Sequence, residues 1–245
     1  MSTQDVGNQL GSSSGAGDFM SDENELIIEQ IEIGPMQNFT YIVGSRSTRE
    51  VALVDPAWDI DSLVKHLDER DYKLTAALVT HYHPDHIGGG FGGRSIAGLA
   101  ELMAKRPVKA YAHDQEAAGV RKVTGLSESD IVKVSSGDTL KIGPIEVEFL
   151  HTPGHTPGSQ CFRIRNTLVS GDTLFIQGCG RVDLPGSDPE QMFASLRKLA
   201  ALPDDTLLLP GHHYSEAPNA TMAETKAQNA YLNIEDLATF RQVML

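Results

Sequence analysis

The sequence predicts an α/β protein made of two β-sheets with helices packed on their outer faces. Short runs rich in Ile and Val, bounded by Gly, Pro, Asn and Ser, recur along the chain. Segments with apolar residues at helical spacing interrupt them, so the order reads strands, helix, strand, helix, more strands, helix, strand, helix. The chain of 245 residues is long enough for one large core, its 40% hydrophobic and 22% charged residues are ordinary for a globular protein, and no internal repeat divides it.

Residues 1–23 are rich in Ser, Gly, Gln and Asp and bury too little apolar surface to offset ordering, so they read as a disordered leader to a single domain over 24–245. Met20, just ahead of the first structured run, is a candidate alternative start. Strands follow at 26–33, 39–43 and 51–54. The spacing of Ile60, Leu63, Val64 and Leu67 predicts a helix over 60–70, with Asp59 as its N-cap. A buried strand at 74–80 runs directly into a histidine cluster. The Gly-rich segment 88–94 reads either as a flap beside that cluster or as a plain linker to a helix at 95–105. A strand at 109–112 comes next. Then two or three antiparallel strands fill 131–150, punctuated by Gly137-Asp138 and Gly143-Pro144. Runs at 161–164 and 167–170 form a hairpin with Asn166 near its tip. Asp188-Pro189-Glu190 starts a helix that reaches about residue 201. A last strand at 207–209 precedes two polar helices at about 221–231 and 234–243.

The formal net charge of −13 repels phosphate backbones and argues against nucleic acid as a partner. No apolar run approaches the roughly 20 residues that span a bilayer. The acidic start of the chain resembles neither a secretory nor an organelle-targeting signal. Two cysteines, Cys161 and Cys179, make no disulfide framework and match no Cys-rich zinc motif, which suits a reducing cytoplasm.

The chemistry lies in His81-Tyr82-His83-Pro84-Asp85-His86, three imidazoles and a carboxylate within six residues. Such ligands suit zinc, iron, manganese or copper. Alternation puts His81 and His83 on one side of an extended backbone. Pro84 and the glycines from Gly88 let His86 turn elsewhere, so one loop can feed two adjacent metals. The plain alternative, an exposed polar loop with incidental histidines, fits poorly with three further candidates at strand ends. His155 sits in His151-Thr-Pro-Gly-His155-Thr-Pro-Gly, where it is either a ligand or a turn histidine. Asp172, in Ser170-Gly-Asp172, is a carboxylate after a buried strand, costly there unless paired or bound to a cation. His212 follows Pro210-Gly211, with His213 as its rival.

This ordered set resembles the metallo-β-lactamase superfamily. The resemblance implies a four-layer αβ/βα sandwich with the site at one edge between the sheets. It implies a first metal site of His81, His83 and His155, a second of Asp85, His86 and His212, and Asp172 bridging the two. The cofactors implied are two divalent ions, zinc first, with iron or manganese as alternatives. Such a pair lowers the pKa of a bound water toward about 7 and supplies hydroxide at neutral pH. Asp85 and Asp172 are the candidate catalytic carboxylates. No G-x-S-x-G nucleophile elbow is present.

Within the superfamily, Gly171-Asp172-Thr-Leu-Phe, Gly178-Cys179-Gly180-Arg181-Val-Asp183 and Asp188-Pro-Glu-Gln-Met resemble the glyoxalase II-like thioesterases and the related persulfide dioxygenases. Only 33 residues follow His212, fewer than the C-terminal helical domain of glyoxalase II needs. Arg181, and the order Glu224, Asn229, Phe240, are closer to the dioxygenases, in which one Fe(II) is held by the equivalents of His81, His155 and Asp172 alone while the rest of the cluster is retained, so the motif does not separate the two chemistries. The expected substrate is a small molecule, a glutathione conjugate in the first reading, with a lactonase or β-lactamase as lesser alternatives. Arg181 either clamps a substrate carboxylate, the favoured reading, or pairs with Asp183 or Asp188. Tyr214 either donates a hydrogen bond at the pocket mouth or packs. Cys179 reads as a small buried residue beside the site. The C-terminal helices offer a surface for a homodimer.

Overall fold

The computed structural model describes residues 25–244; the leader and Met20 lie outside the described residues. One sheet contains β1 (Leu26–Ile33), β2 (Asn38–Ser45), β3 (Glu50–Val54), β4 (Lys73–Leu78), β7 (Lys109–His113) and β8 (Ile131–Val134), in the order β1-β2-β3-β4-β7-β8. The other contains β9 (Thr139–Ile142), β10 (Ile145–His151), β11 (Gln160–Ile164), β12 (Thr167–Gly171), β15 (Leu207–Pro210) and β16 (Ala220–Thr221), in the order β16-β15-β12-β11-β10-β9. Seven helices are described: α1 (Ile60–Glu69), α2 (Pro84–Ile87), α3 (Leu99–Lys105), α4 (Asp114–Thr124), α5 (Pro189–Ala200), α6 (Met222–Gln228) and α7 (Leu237–Met244).

Strand alternation sorts the apolar side chains into layers. Tyr41, Val43, Ala52 and Val54 point inward and meet Val147, Phe149, Phe162 and Val169 of the second sheet. Their neighbours Ile42, Val51 and Leu53 point outward and meet Leu63 and Leu67 of α1, Leu102 of α3 and Val120 of α4. On the far side, Cys161, Leu168 and Leu208 pack against Met192, Leu196 and Leu199 of α5 and Phe240 of α7. The result is the expected four-layer αβ/βα sandwich, helices outside and two sheets face to face.

The parallel pairings place the site. β3, β4 and β7 run parallel, as do β12 and β15. β10 is antiparallel to β11, and β11 to β12, so β10 runs with β12. The C-terminal ends of β3, β4, β10, β12 and β15 therefore deliver Asp55, His81, His155, Asp172 and His212 to loops between the sheets.

Several elements differ from the sequence reading. The segment 88–94 is neither flap nor linker. Gly89–Phe91 (β5) pairs with Arg94–Ile96 (β6) around Gly92-Gly93, both at positive φ as a two-residue hairpin turn requires. That ribbon delays the following helix, which starts at Leu99 rather than 95. Apolar periodicity does not predict helix α4, because Gly119 and the buried Glu116 interrupt its apolar face; Gly125, left-handed at its C-cap, is the one local signal for it. Residues 131–150 do not form one antiparallel set. β8 joins the first sheet parallel to β7, and only β9 and β10 form a hairpin, in the second. The strand at 207–210 is not the last, since β16 pairs with it. Leu174–Phe175 (β13) and Gly178–Cys179 (β14) form a further small ribbon at the rim of the site. Cys179 is only half-buried there.

Candidate metal centre

All seven residues singled out as ligands converge. The ligand atoms of His81, His83 and His155 lie within 4.8 Å of one another, and so do those of Asp85, His86 and His212. Asp172 stands between the two groups. Its Oδ1 is 3.3 Å from His86 Nε2, and its Oδ2 is 3.4 Å from His212 Nε2 and 3.6 Å from His155 Nε2. Pro84 at the first position of α2 and the positive-φ Gly88 at its end fold the histidine loop into one turn, which brings Asp85 and His86 to His212 while the His86 ring stays 4.2 Å from that of His81. Two glycines permit the close approach: a Cβ on Gly211 would strike Asp172 Oδ1, and one on Gly180 would strike the Asp172 carbonyl and the His155 ring.

The outer partners assign the tautomers. His155 Nδ1 donates to the Arg181 carbonyl and His212 Nδ1 to the Met36 carbonyl, each at 2.9 Å. His86 Nδ1 donates to Asp55 Oδ2 at 3.0 Å. His81 Nδ1 donates to Thr80 Oγ1 at 3.0 Å, and that hydroxyl in turn donates to Asp55. Each of these four rings therefore turns Nε2 inward. His83 differs: its Nδ1 faces His155 Nε2 at 2.9 Å, so Nδ1 is its inward atom. Asn38 donates to Asp85 Oδ2 at 3.0 Å and is itself fixed by Trp58 Nε1 at 3.0 Å.

The donor set fits divalent metal ions. His81 Nε2 and Asp172 Oδ1 are buried without a hydrogen-bond partner, a costly state that a cation relieves. Burial, helped by His86 and His83, holds His81 well below the usual histidine range, and burial with His155 beside it takes His83 down to about 4. Both rings are thus neutral donors, as ligation requires. In the other half, burial favours the neutral forms, but Asp172 and Asp85 outweigh it for His86, and Asp172 takes His212 up to about 9. Two carboxylates there draw in protons where a cation would otherwise balance them. Asp55 sits with His81 and His86 but spends its oxygens on Thr80 and His86 Nδ1, so it supports the ligands from behind.

His213 turns away from the cluster: it bonds Glu32 at 2.8 Å and packs on Phe39. His151 stacks on His113 instead, with ring centroids 3.8 Å apart. Arg181 lines the cavity, where both of its readings remain open. Its guanidinium makes a bidentate pair with Asp183 at 2.9 and 2.7 Å on the exposed rim. Tyr214 stacks on His212 at 4.5 Å and also packs on Phe175. Asp55, Asn38 and Glu116 were missed. Asp55 carried the cue that flagged Asp172, a carboxylate directly after a buried strand; the other two carried none. The centre opens into a cavity of about 630 Å³ whose floor is His83, Asp85, His155, Asp172 and His212, and whose walls include Met36, Phe175, Leu184 and Tyr214.

Comparisons with known proteins agree with this geometry. The chain is 39% identical over 199 residues to a hydroxyacylglutathione hydrolase of Rhodopseudomonas palustris, covering 80% of this chain and 70% of that one. It is 31% identical over 201 residues to a probable polyketide biosynthesis zinc-dependent hydrolase of Bacillus velezensis, covering 81% and 83%. Among solved structures, ETHE1 from Myxococcus xanthus superimposes with a TM-score of 0.76 at 28% identity over 89% of each chain. The metallo-beta-lactamase superfamily model matches residues 33–212, which contain every ligand described above, and the chain belongs to that superfamily.

Proposed function

We propose that this protein is a dinuclear metallo-thioesterase of the hydroxyacylglutathione hydrolase type. The observation that carries this reading is the 39% identity over 199 residues to a hydroxyacylglutathione hydrolase; the convergence of Asp85, His86 and His212 as well as His81, His83 and His155, with Asp172 reaching both, is compatible with two metals. The relatives named for glutathione thioester hydrolysis and zinc dependence support it. Two bound divalent ions, zinc in this reading, would supply Lewis acidity and activated water at neutral pH.

The chain's own residues do the rest. The outer hydrogen bonds of His155, His212, His86 and His81 fix the ring planes before any ligand arrives, so little reorganisation accompanies binding. Asp85, steadied by Asn38, is held on the cavity floor, where it can accept and orient a proton from an attacking water. Tyr214 keeps its proton, since burial and then the Asp172 and Asp85 charges push it up to about 12; it is therefore a donor to a substrate carbonyl. Met36, Phe175 and Leu184 exclude water from the acyl part of a thioester. Arg181, with its plane set by Asp183, offers a rim contact for a glutathione carboxylate. The two unpaired cysteines suit a reducing compartment, the cytoplasm.

The second reading is a mononuclear iron persulfide dioxygenase, favoured by the end-to-end likeness to ETHE1. Elemental analysis of protein purified without added metal or chelator separates the two. About two metals per chain with hydrolysis of S-lactoylglutathione supports the thioesterase. One iron per chain with oxygen uptake on glutathione persulfide overturns it.

A further inference from the structure

The ligand loops of the His81, His83 and His155 cluster come from different sheets, and one side chain joins them. Glu116, in the first turn of α4, is 0% exposed. Its Oε1 accepts the Tyr82 N–H at 2.7 Å and the Thr156 hydroxyl at 2.8 Å, and its Oε2 accepts the Gly158 N–H at 2.8 Å. Tyr82 lies between His81 and His83, and Thr156 directly follows His155. Every ligand of this half is thus one residue away from an atom that Glu116 holds.

The contacts around the carboxylate are close. A Cβ on Gly158 would strike the backbone and carboxylate of Glu116, and a Cβ on Gly119 of the same helix would strike the Tyr82 ring. All three donors to Glu116 are neutral, so a buried carboxylate is tolerated only because both oxygens are bonded. The other half of the centre has supports that Glu116 does not touch: Asn38 holds Asp85, the Met36 carbonyl holds His212, and Asp55 holds His86 and, through Thr80, His81.

We propose that Glu116 is a positioning residue that clamps the histidine loop of one sheet to the His155 loop of the other, so that metal affinity at His81, His83 and His155, and not at Asp85, His86 and His212, depends on it. This rests on the reading of the seven residues as a metal centre. An apolar residue of similar size would fill the space but leave two backbone N–H groups buried and unpaired. Glutamine keeps the shape but presents its amide N–H to one of the three donors.

The test is zinc binding by chelator competition on the full chain, for the wild type, E116Q and E116A, each also combined with His212→Ala. Loss of an outer support weakens a metal about 10- to 100-fold. Expected is that E116Q weakens one of two zinc ions by this factor and leaves the other unchanged, E116A weakens the same ion further, and E116Q with His212→Ala holds neither firmly. Thermal midpoints of the metal-free proteins report folding independently. Should E116A fail to fold, E116Q and Gly158→Ala carry the test, the latter acting by pushing the loop off the clamp. Zinc affinities in E116Q equal to wild type at both halves, or lowered equally at both, overturn the inference while the centre itself stands. A wild-type chain holding a single ion decides as well, since that ion either weakens in E116Q or the inference is wrong. A wild type that takes up no zinc, iron or manganese overturns the metal-centre reading and this inference with it.

Discussion

Asp172→Asn isolates the charge of the bridging carboxylate at nearly constant shape. Asp172 lies within 3.6 Å of ligand nitrogens from both halves of the centre. Outer-support mutations cost 10- to 100-fold in metal affinity, so loss of an anionic ligand costs at least about 100-fold at each site. At about 1.4 kcal/mol per tenfold, that is about 2.7 kcal/mol per ion and roughly 5 kcal/mol for two. For a chain of this size, about 2–4 °C per kcal/mol puts the metal-loaded melting midpoint about 10–20 °C lower. The metal-free comparison is the control. There Asp172 pairs with His86 and His212, which can shed their protons when it goes, so the loss stays near the 1–2 kcal/mol of an exchanged hydrogen-bond partner. Differential scanning calorimetry with and without excess zinc reads both numbers. A variant whose metal-loaded and metal-free midpoints fall by the same amount refutes the bridging role.

Asp55→Ala removes the acceptor behind His86 and Thr80, and a 10- to 100-fold weaker metal site is expected by chelator competition; unchanged affinity removes Asp55 from the support. Arg181→Ala should raise KM for a glutathione thioester with kcat little changed, and an unaltered KM leaves Arg181 as a rim residue held by Asp183. Burial, then His151 stacked against it, takes His113 down to about 4 from 6.5, so the unfolded chain binds this proton first: stability is full above about pH 6.5 and falls as pH drops to about 4, a dependence absent in His113→Asn if the assignment is right. Asp188→Ala leaves the N–H groups of Glu190 and Gln191 uncapped at the start of α5, which costs about 1 kcal/mol in urea unfolding; an unchanged midpoint rejects the cap.

Much of the molecule was legible in local chemistry. Asp59 and Asp188 do cap α1 and α5, because capping needs only a short acceptor ahead of a helical run. Runs of Ile and Val gave most strands to within two or three residues. What failed did so for identifiable reasons. Helix α4 carries a buried charge on its packed face, so hydrophobic periodicity does not see it, and its clamp spans 34 and 40 residues of sequence. Arg181 has an acid two residues away, and only the structure shows that the pair forms while Arg181 still lines the cavity. β8 and β9 are neighbours in sequence yet belong to different sheets, because sheet choice depends on which parallel partner is already in place.

The amino-acid sequence by itself determined the fold class and singled out seven candidate ligands, since imidazoles and carboxylates placed directly after buried strands have few uses other than holding a cation. The tertiary structure alone decided which ring nitrogen faces inward, that His212 and not His213 enters the centre, and that Asp55, Asn38 and Glu116 hold the ligands in place. Those choices rest on contacts between loops up to 176 residues apart, such as His212 Nδ1 on the Met36 carbonyl. They follow from bringing the C-terminal strand ends of two sheets to one edge, which no local pattern encodes.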